Sequence, residues 1–86
     1  MEILVRKPTE KEREDMLKLP TWGCDVSNFD WYYDQEETCL LLEGEVVVTH
    51  EGKSTQFGAG DLVTFPQGMS CIWDVSKPVK KHYIFR

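Results

Sequence analysis

The feature that most constrains the fold is a series of short β-rich runs, evenly spaced and separated by glycine or proline turns. From Thr21 onwards no segment has helical periodicity, and such spacing is typical of a β-sandwich or a small β-barrel. The sequence therefore predicts an all-β domain. The predicted strands cover residues 29–33, 38–42, 46–49, 54–57, 62–65, 70–75 and 80–85.

Glycine and proline residues mark the predicted turns between these runs. Gly44 lies between two β-rich runs and predicts a β-hairpin, and Gly52 predicts the turn after it. Lys77-Pro78 separates the last two runs, because proline donates no hydrogen bond to a β-ladder.

The first 21 residues differ from the rest of the chain. Residues 3–5 favour an edge strand, and Pro8-Thr9 introduces a short charged segment that predicts a helix. Thr9 and Glu12 have the spacing of a capping box, and Pro20 ends the helix. We therefore predict a single domain of 86 residues, with a strand and a short helix in residues 1–21 and a barrel in residues 22–86.

Composition excludes several classes of partner. The net charge of -5 argues against nucleic acid or an anionic membrane as a partner, and no apolar run is long enough to span a bilayer. The three cysteines, Cys24, Cys39 and Cys71, form no C-x-x-C motif and cannot all pair within the chain. With no recognisable secretion signal, they predict free thiols and a cytoplasmic location.

A further pattern lies in the spacing of acidic, glycine and proline residues. Glu37 is followed after six residues by Gly44, and the block from Gly60 to Pro66 is followed by Gly68. Together with residues 29–33 and 81–83, these positions resemble short single-domain cupins grouped with the ureidoglycine aminohydrolase-like branch. The resemblance covers roughly residues 22–83 and implies a double-stranded β-helix, a jelly-roll barrel with a pocket between its sheets.

The resemblance also implies which residues face the pocket. In matching cupins a His-x-His pair, a glutamate and a later histidine line it and hold a metal. Here those positions fall on Trp31, Tyr33, Glu37 and Cys71, so only the glutamate keeps its ligand type. Since an indole offers no lone pair to a metal, we expect no standard cupin metal and no cofactor. The alternative is an unusual metal site of Glu37, Cys71 and His82.

Strand alternation indicates an aromatic interior. Successive strand side chains point to opposite faces, which places Glu37 with Cys39 and Leu41, and Cys71 with Trp73. The aromatic members of this interior either wall a ligand pocket, with His82 as a further contact, or simply fill the barrel. They are Trp31, Tyr33, Phe65 and Trp73.

Glu37 and Cys71 are the candidate catalytic residues. A carboxylate among aromatic rings has a raised pKa and suits a general acid or base, but Glu37 equally suits a structural hydrogen-bond acceptor. Cys71 becomes a nucleophile if His82 lies beside it; otherwise it is a small buried apolar side chain.

Three functions remain open at this level, and whether the protein is an enzyme is one of the open questions. The first is a barrel that binds a small organic molecule without the cupin metal, with Glu37 as the polar anchor. The second, implied by the resemblance, is a hydrolase or lyase-like enzyme acting on C–N bonds of ureide-like compounds. The third is an interaction or dimerisation module with a filled barrel.

The strands also carry apolar residues on their outward faces, namely Leu40, Leu42 and Ile72. Such a face is usually covered by another sheet, by the N-terminal segment or by a second subunit. A homodimer is therefore one of the three expected arrangements.

Overall fold

The computed structural model describes all 86 residues as seven β-strands and one α-helix. Every strand pairing is antiparallel. The fold is all-β, as the strand spacing predicts, and it is a jelly roll, as the cupin resemblance implies. The elements are β1 Leu4–Arg6, α1 Glu10–Met16, β2 Thr21–Cys24, β3 Ser27–Tyr32, β4 Glu37–His50, β5 Lys53–Gly58, β6 Leu62–Phe65 and β7 Ser70–Phe85.

Two long strands, β4 and β7, run through both layers of the barrel. The beginning of β4 pairs with β6 on one side and with the end of β7 on the other. β1 pairs with β6 and β2 with the end of β7, and these strands together form the first sheet. The rest of β4 pairs with β5 and with the beginning of β7, and β3 completes this second sheet. Each long strand therefore bends from one layer into the other.

Gly44 lies at the bend of β4, and the predicted hairpin is wrong. The strand continues through Gly44, whose φ is 114°, while its register with β7 shifts on both sides of this residue. A Cβ atom at this position would lie 2.8 Å from the Pro78 carbonyl oxygen. The glycine therefore makes a bulge in a continuous strand and lets the two long strands cross closely.

Pro78 lies at the matching bend of β7, and the break predicted at Lys77-Pro78 is also wrong. Glu45 is opposite Lys77 and Glu43 is opposite Lys80, so β7 has one extra residue across the bend. A bulge leaves a ladder position unpaired, and proline is tolerated at such a position inside a strand.

The N-terminal helix covers part of the first sheet. The predicted capping box is present, because Thr9 Oγ1 accepts a hydrogen bond from the Glu12 N–H at 3.2 Å and Glu12 Oε1 accepts one from the Thr9 N–H at 2.9 Å. The helix ends at Met16, before Pro20. Met16 packs with Leu40 and Leu62, so the N-terminal segment covers this outer apolar face. Ile72, on the second sheet, remains 43% exposed.

The interior lies between the two sheets and agrees with the predicted alternation. Cys39 and Leu41 of β4 face inward, as do Cys71, Trp73 and Val75 of β7. The enclosed residues are Tyr33, Cys39, Leu41, Val46, Val48, Phe57, Val63, Phe65, Met69, Cys71, Trp73, Val75 and Val79.

No helix has the length and apolar character needed to cross a membrane.

Candidate functional site

A cavity of about 120 Å³ opens between the two sheets. A cavity of about 150 Å³ accommodates benzene, so this one has room for roughly one small ring or a short chain. Seven of its nine lining residues are apolar or aromatic, and the two others carry opposite charges. The lining residues are Trp22, Phe29, Trp31, Tyr33, Glu37, Trp73, Lys81, Tyr83 and Phe85.

Glu37 and Lys81 form an ion pair at the inner end of this cavity. Glu37 begins β4, and Lys81 lies opposite Leu41 on the neighbouring β7, so both side chains project between the sheets. Lys81 Nζ donates a hydrogen bond to Glu37 Oε2 at 2.7 Å. The Lys81 side chain is 7% exposed and the Glu37 side chain is 2% exposed. The site therefore holds two buried charges whose sum is zero.

Two indole rings surround the Lys81 ammonium. Nζ lies 5.1 Å from the ring centroid of Trp22 and 4.7 Å from that of Trp73. Cation–π attraction compensates part of the hydration that the ammonium loses on burial. Lys81 is therefore held in place from three sides, by a carboxylate and two aromatic faces.

The ion pair leaves a hydrogen-bond donor and an acceptor unused. An ammonium has three N–H donors, and the only protein acceptor of Lys81 Nζ is Glu37 Oε2. Glu37 Oε1 accepts no hydrogen bond of normal geometry from the protein, although the Tyr33 phenol lies close to this carboxylate. Among side-chain nitrogen and oxygen atoms without a hydrogen-bond partner, only Trp73 Nε1 is fully enclosed. Glu37 Oε1 is therefore not fully enclosed, and Glu37 lines the cavity. A ligand at this end of the cavity can thus contact both members of the ion pair.

Tyr33 forms another wall and is fixed by the turn around Gly68. Its N–H donates to Met69 O at 2.9 Å, and its carbonyl accepts from the Gly68 N–H at 2.6 Å. Its ring stacks on Phe65 with centroids 4.7 Å apart. Burial, followed by the negative charge of the nearby Glu37, raises the pKa of the Tyr33 phenol. A weak interaction of the phenol O–H with the Glu37 carboxylate raises this pKa further, so Tyr33 stays protonated at neutral pH.

The structure brings together some of the predicted site residues. Trp31, Tyr33, Glu37 and Trp73 all line the cavity, with Trp31 at its edge and 47% exposed. Phe65 does not line it, since it is fully buried beneath Tyr33. Sequence reasoning missed Lys81, which supplies the positive charge, as well as Trp22, Phe29, Tyr83 and Phe85.

His82 faces the other side of the first sheet. Its Nδ1 lies 2.8 Å from the carbonyl oxygen of Leu19, beside the segment that follows α1. His82 therefore does not line the cavity, and the ligand contact predicted for it is not formed. It serves instead to connect the N-terminal segment to β7.

Cys71 is buried and has no cation beside it. Burial, and then the charge of Glu37, raise the pKa of the Cys71 thiol to about 11, against a smaller opposite effect of the Trp73 indole. Its Sγ donates a weak hydrogen bond to the Trp31 carbonyl oxygen at 3.7 Å. Since His82 points away, the pairing that would activate Cys71 as a nucleophile is absent.

The residues of the site do not fit a cupin metal. The alternative ligand set of Glu37, Cys71 and His82 is not brought together, and no three His, Cys, Asp or Glu side chains are grouped closely enough to hold a metal ion. The carboxylate that would ligate a metal is paired with Lys81 instead.

The sequence matches a known family over most of its length. Residues 11–83 match the profile of the EutQ-like cupin domain. The chain belongs to this cupin family. The cupin resemblance is thereby confirmed, and the ureidoglycine aminohydrolase-like branch stays a prediction.

Curated relatives of this EutQ-like cupin include two proteins named acetate kinase EutQ. The protein of Escherichia coli (strain K12) is 36% identical over 56 residues, which are 65% of this chain and 24% of that protein. The protein of Salmonella typhimurium is 33% identical over 60 residues, 70% of this chain and 26% of that protein. The chain thus spans about a quarter of the length of these relatives.

Solved structures include one that matches the cupin chain over its whole length. A DUF861-family protein from Thermotoga maritima has a TM-score of 0.95 and 49% identity, covering 99% of this chain and 100% of that chain. A putative ethanolamine utilization protein Q from Salmonella typhimurium has a TM-score of 0.70 and 31% identity, covering 76% of this chain and 53% of that chain. Both likenesses support the jelly-roll assignment.

Proposed function

We propose that this EutQ-like cupin binds a small organic molecule between its sheets, without the standard cupin metal, and that the Glu37–Lys81 pair contacts the polar group of that molecule. One observation carries the proposal: an open cavity walled by aromatic rings ends at a buried ion pair that has unused hydrogen-bonding atoms. Ligand sites combine apolar walls with a few well-placed polar groups in this way.

The size of the cavity limits the ligand and its affinity. About 120 Å³ admits a molecule of roughly five to eight non-hydrogen atoms. Molecules of this size gain only a few kcal/mol from burying their apolar surface and making one or two hydrogen bonds, so we expect dissociation constants in the millimolar to high micromolar range.

A fragment titration followed by NMR tests the proposal. The indole N–H signals of Trp22 and Trp73 report on the cavity, and single-ring fragments together with acetate, included because of the name of the EutQ relatives, form the test set. We expect at least one fragment to shift both signals in a saturable way. In Trp22→Leu the affinity should fall, whereas Ile72→Ala, on the outer face, should leave it unchanged.

Two results would contradict the proposal. One is that no member of the set shifts the indole signals of Trp22 and Trp73 at millimolar concentration. The other is that the shifts map to the outer face around Ile72 and persist in Trp22→Leu.

The other two hypotheses receive less support from the geometry. An open cavity favours a ligand over the filled-barrel interaction module. For a hydrolase or lyase, Glu37 would have to exchange protons while it is ion-paired with Lys81, and Cys71 lacks the neighbouring base that activates a thiol.

A further inference from the structure

The charges in the cavity discriminate between ligand classes. A carboxylate ligand that approaches Lys81 also approaches Glu37, whose charge repels it, and a cationic ligand that approaches Glu37 meets Lys81 in the same way. Like charges brought together out of water are strongly unfavourable. A buried ion pair of zero net charge therefore favours a neutral ligand.

The cation-binding position over the aromatic rings is already occupied. The Lys81 ammonium lies between Trp22 and Trp73, where a ligand cation would otherwise receive cation–π attraction. The cavity thus resembles an aromatic cage whose cation belongs to the protein. What it leaves for a ligand is apolar wall surface and the ion pair.

The unused atoms of the ion pair define the polar group that fits best. Glu37 and Lys81 both line the cavity, Lys81 Nζ has N–H groups without a protein acceptor, and Oε1 belongs to the same carboxylate that accepts from Nζ. An amide presents a carbonyl acceptor and an N–H donor about 2.2 Å apart on one planar group. Its carbonyl can accept from Lys81 while its N–H donates to Glu37, and both hydrogen bonds involve a charged group, which makes them strong.

We propose that the cavity takes a neutral molecule with a carboxamide or cyclic amide group, held by Lys81 at its carbonyl oxygen and by Glu37 at its N–H. The apolar remainder of the molecule lies against Trp22, Trp73 and Phe29. This inference rests on the proposed function, since it names the ligand class of the same cavity.

Four probes of nearly equal size test the amide assignment. Propionamide, butanone and propionate share one skeleton of non-hydrogen atoms and differ in offering a donor and an acceptor, an acceptor alone, or a negative charge. Propylammonium supplies the positive charge. Each is titrated into the unmodified protein at pH 7 and constant ionic strength, with the indole N–H signals of Trp22 and Trp73 as the readout. We expect propionamide to bind at least about ten-fold more tightly than the other three, because the others leave a buried acceptor unpaired or add a like charge.

Charge variants should invert this preference. Glu37→Gln leaves the Lys81 ammonium uncompensated, so propionate should become the preferred probe. Lys81→Met leaves the Glu37 carboxylate uncompensated, so propylammonium should become preferred. Lys80→Met, at the exposed neighbouring lysine, is the matched control and should keep the preference for propionamide. If either charge variant fails to fold, the four titrations of the unmodified protein decide the assignment.

The outcomes separate the two proposals. If butanone or propionate binds the unmodified protein as tightly as propionamide, the amide assignment is overturned and the cavity remains a ligand site. The same holds if ring fragments bind and propionamide does not. If neither the fragments nor the four probes bind, both proposals are overturned.

Discussion

At the scale of single residues, Glu37 and Lys81 are each other's only ion-pair partner, and both are almost fully buried. Burying two charges costs several kcal/mol each, and their attraction recovers this cost only while both are present. The pair is therefore costly for the fold as a whole and sensitive to the loss of either member. A polar pair that contributes little net stability is easier to explain by what it binds than by what it stabilises.

Removing one member of the pair should destabilise the protein strongly. Glu37→Gln and Lys81→Met each leave a buried group unpaired, and we expect each to lower the free energy of unfolding by about 3 kcal/mol. The double variant removes both charges and should recover most of this loss. Urea denaturation measures all three. If the double variant loses as much free energy of unfolding as the two single variants together, the two residues do not stabilise each other.

The Cys71 thiol should react slowly. Its pKa of about 11 leaves roughly three-hundred-fold less thiolate at neutral pH than an ordinary cysteine with a pKa near 8.5, and alkylation proceeds through the thiolate. With iodoacetamide we expect the partly exposed Cys24 to be modified first and Cys71 later. Cys39, which is fully buried and whose pKa is raised by burial to about 12, should be modified last.

Mass spectrometry of digested samples over a time course measures this order. Raising the pH from 7 to 9 should accelerate the reaction at Cys71 in proportion to its thiolate, and unfolding in urea should make the three cysteines equivalent. Modification of Cys71 as fast as Cys24 at neutral pH would instead indicate an activated thiol.

At the scale of elements, the barrel depends on the crossing of β4 and β7 at Gly44 and Pro78. Gly44 combines a positive φ with close contact, since a Cβ atom there would lie 2.8 Å from the Pro78 carbonyl oxygen and 2.9 Å from the Val79 Cα. Those neighbours are backbone atoms, which cannot move aside without displacing the strand. The crossing therefore requires glycine.

Two glycine substitutions separate strain from crowding. Gly52 also has a positive φ, of 77°, but a Cβ there would meet no atom within 4 Å. Gly52→Ala should therefore cost about 1 kcal/mol of stability from backbone strain alone, and Gly44→Ala about 3 kcal/mol or more. Thermal and urea unfolding of the two variants provide the measurement. Equal losses would show that the contact with Pro78 contributes nothing.

At the scale of the whole molecule, β4 and β7 make the two sheets inseparable. Each strand contributes half of its length to each layer, so neither sheet can lose its central strands while the other keeps them. We expect a single cooperative unfolding transition. Tryptophan fluorescence, which reports on the cavity, and far-ultraviolet circular dichroism, which reports on the strands, should give the same urea midpoint; separate midpoints would contradict this expectation.

Much of this architecture follows from local sequence. Alternation placed Cys39, Leu41, Cys71 and Trp73 inward correctly, because the strand period of two is a local property. Gly44 and Pro78 predict a turn and a break where the structure has bulges, because a turn and a bulge have the same local signal and only the contact between the two strands distinguishes them.

The predicted break at Pro78 is also the reason that the inward direction of Lys81 does not follow from the predicted strands. Continued past the bend, the alternation of β7 assigns Lys81 to the same face as Trp73 and His82 to the opposite face, as the structure has them. The inward direction of Trp22 and Phe29 had no comparable local signal, since it depends on how β2 and β3 pair with β7. The homodimer stays a prediction, with Ile72 exposed and Leu40 covered by the chain itself.

The bend of β7 at Pro78 affects the shape of the cavity. Trp73 and Lys81 lie on the same strand on either side of Pro78, and the bend places the Lys81 ammonium over the Trp73 ring, 4.7 Å from its centroid. How these two lining residues meet thus depends on how β7 passes between the layers, and at this bend Gly44 approaches the Pro78 carbonyl too closely to leave room for a Cβ atom. Gly44 and Pro78 do not line the cavity, yet substituting either residue would change the shape of the cavity without altering any group in its lining.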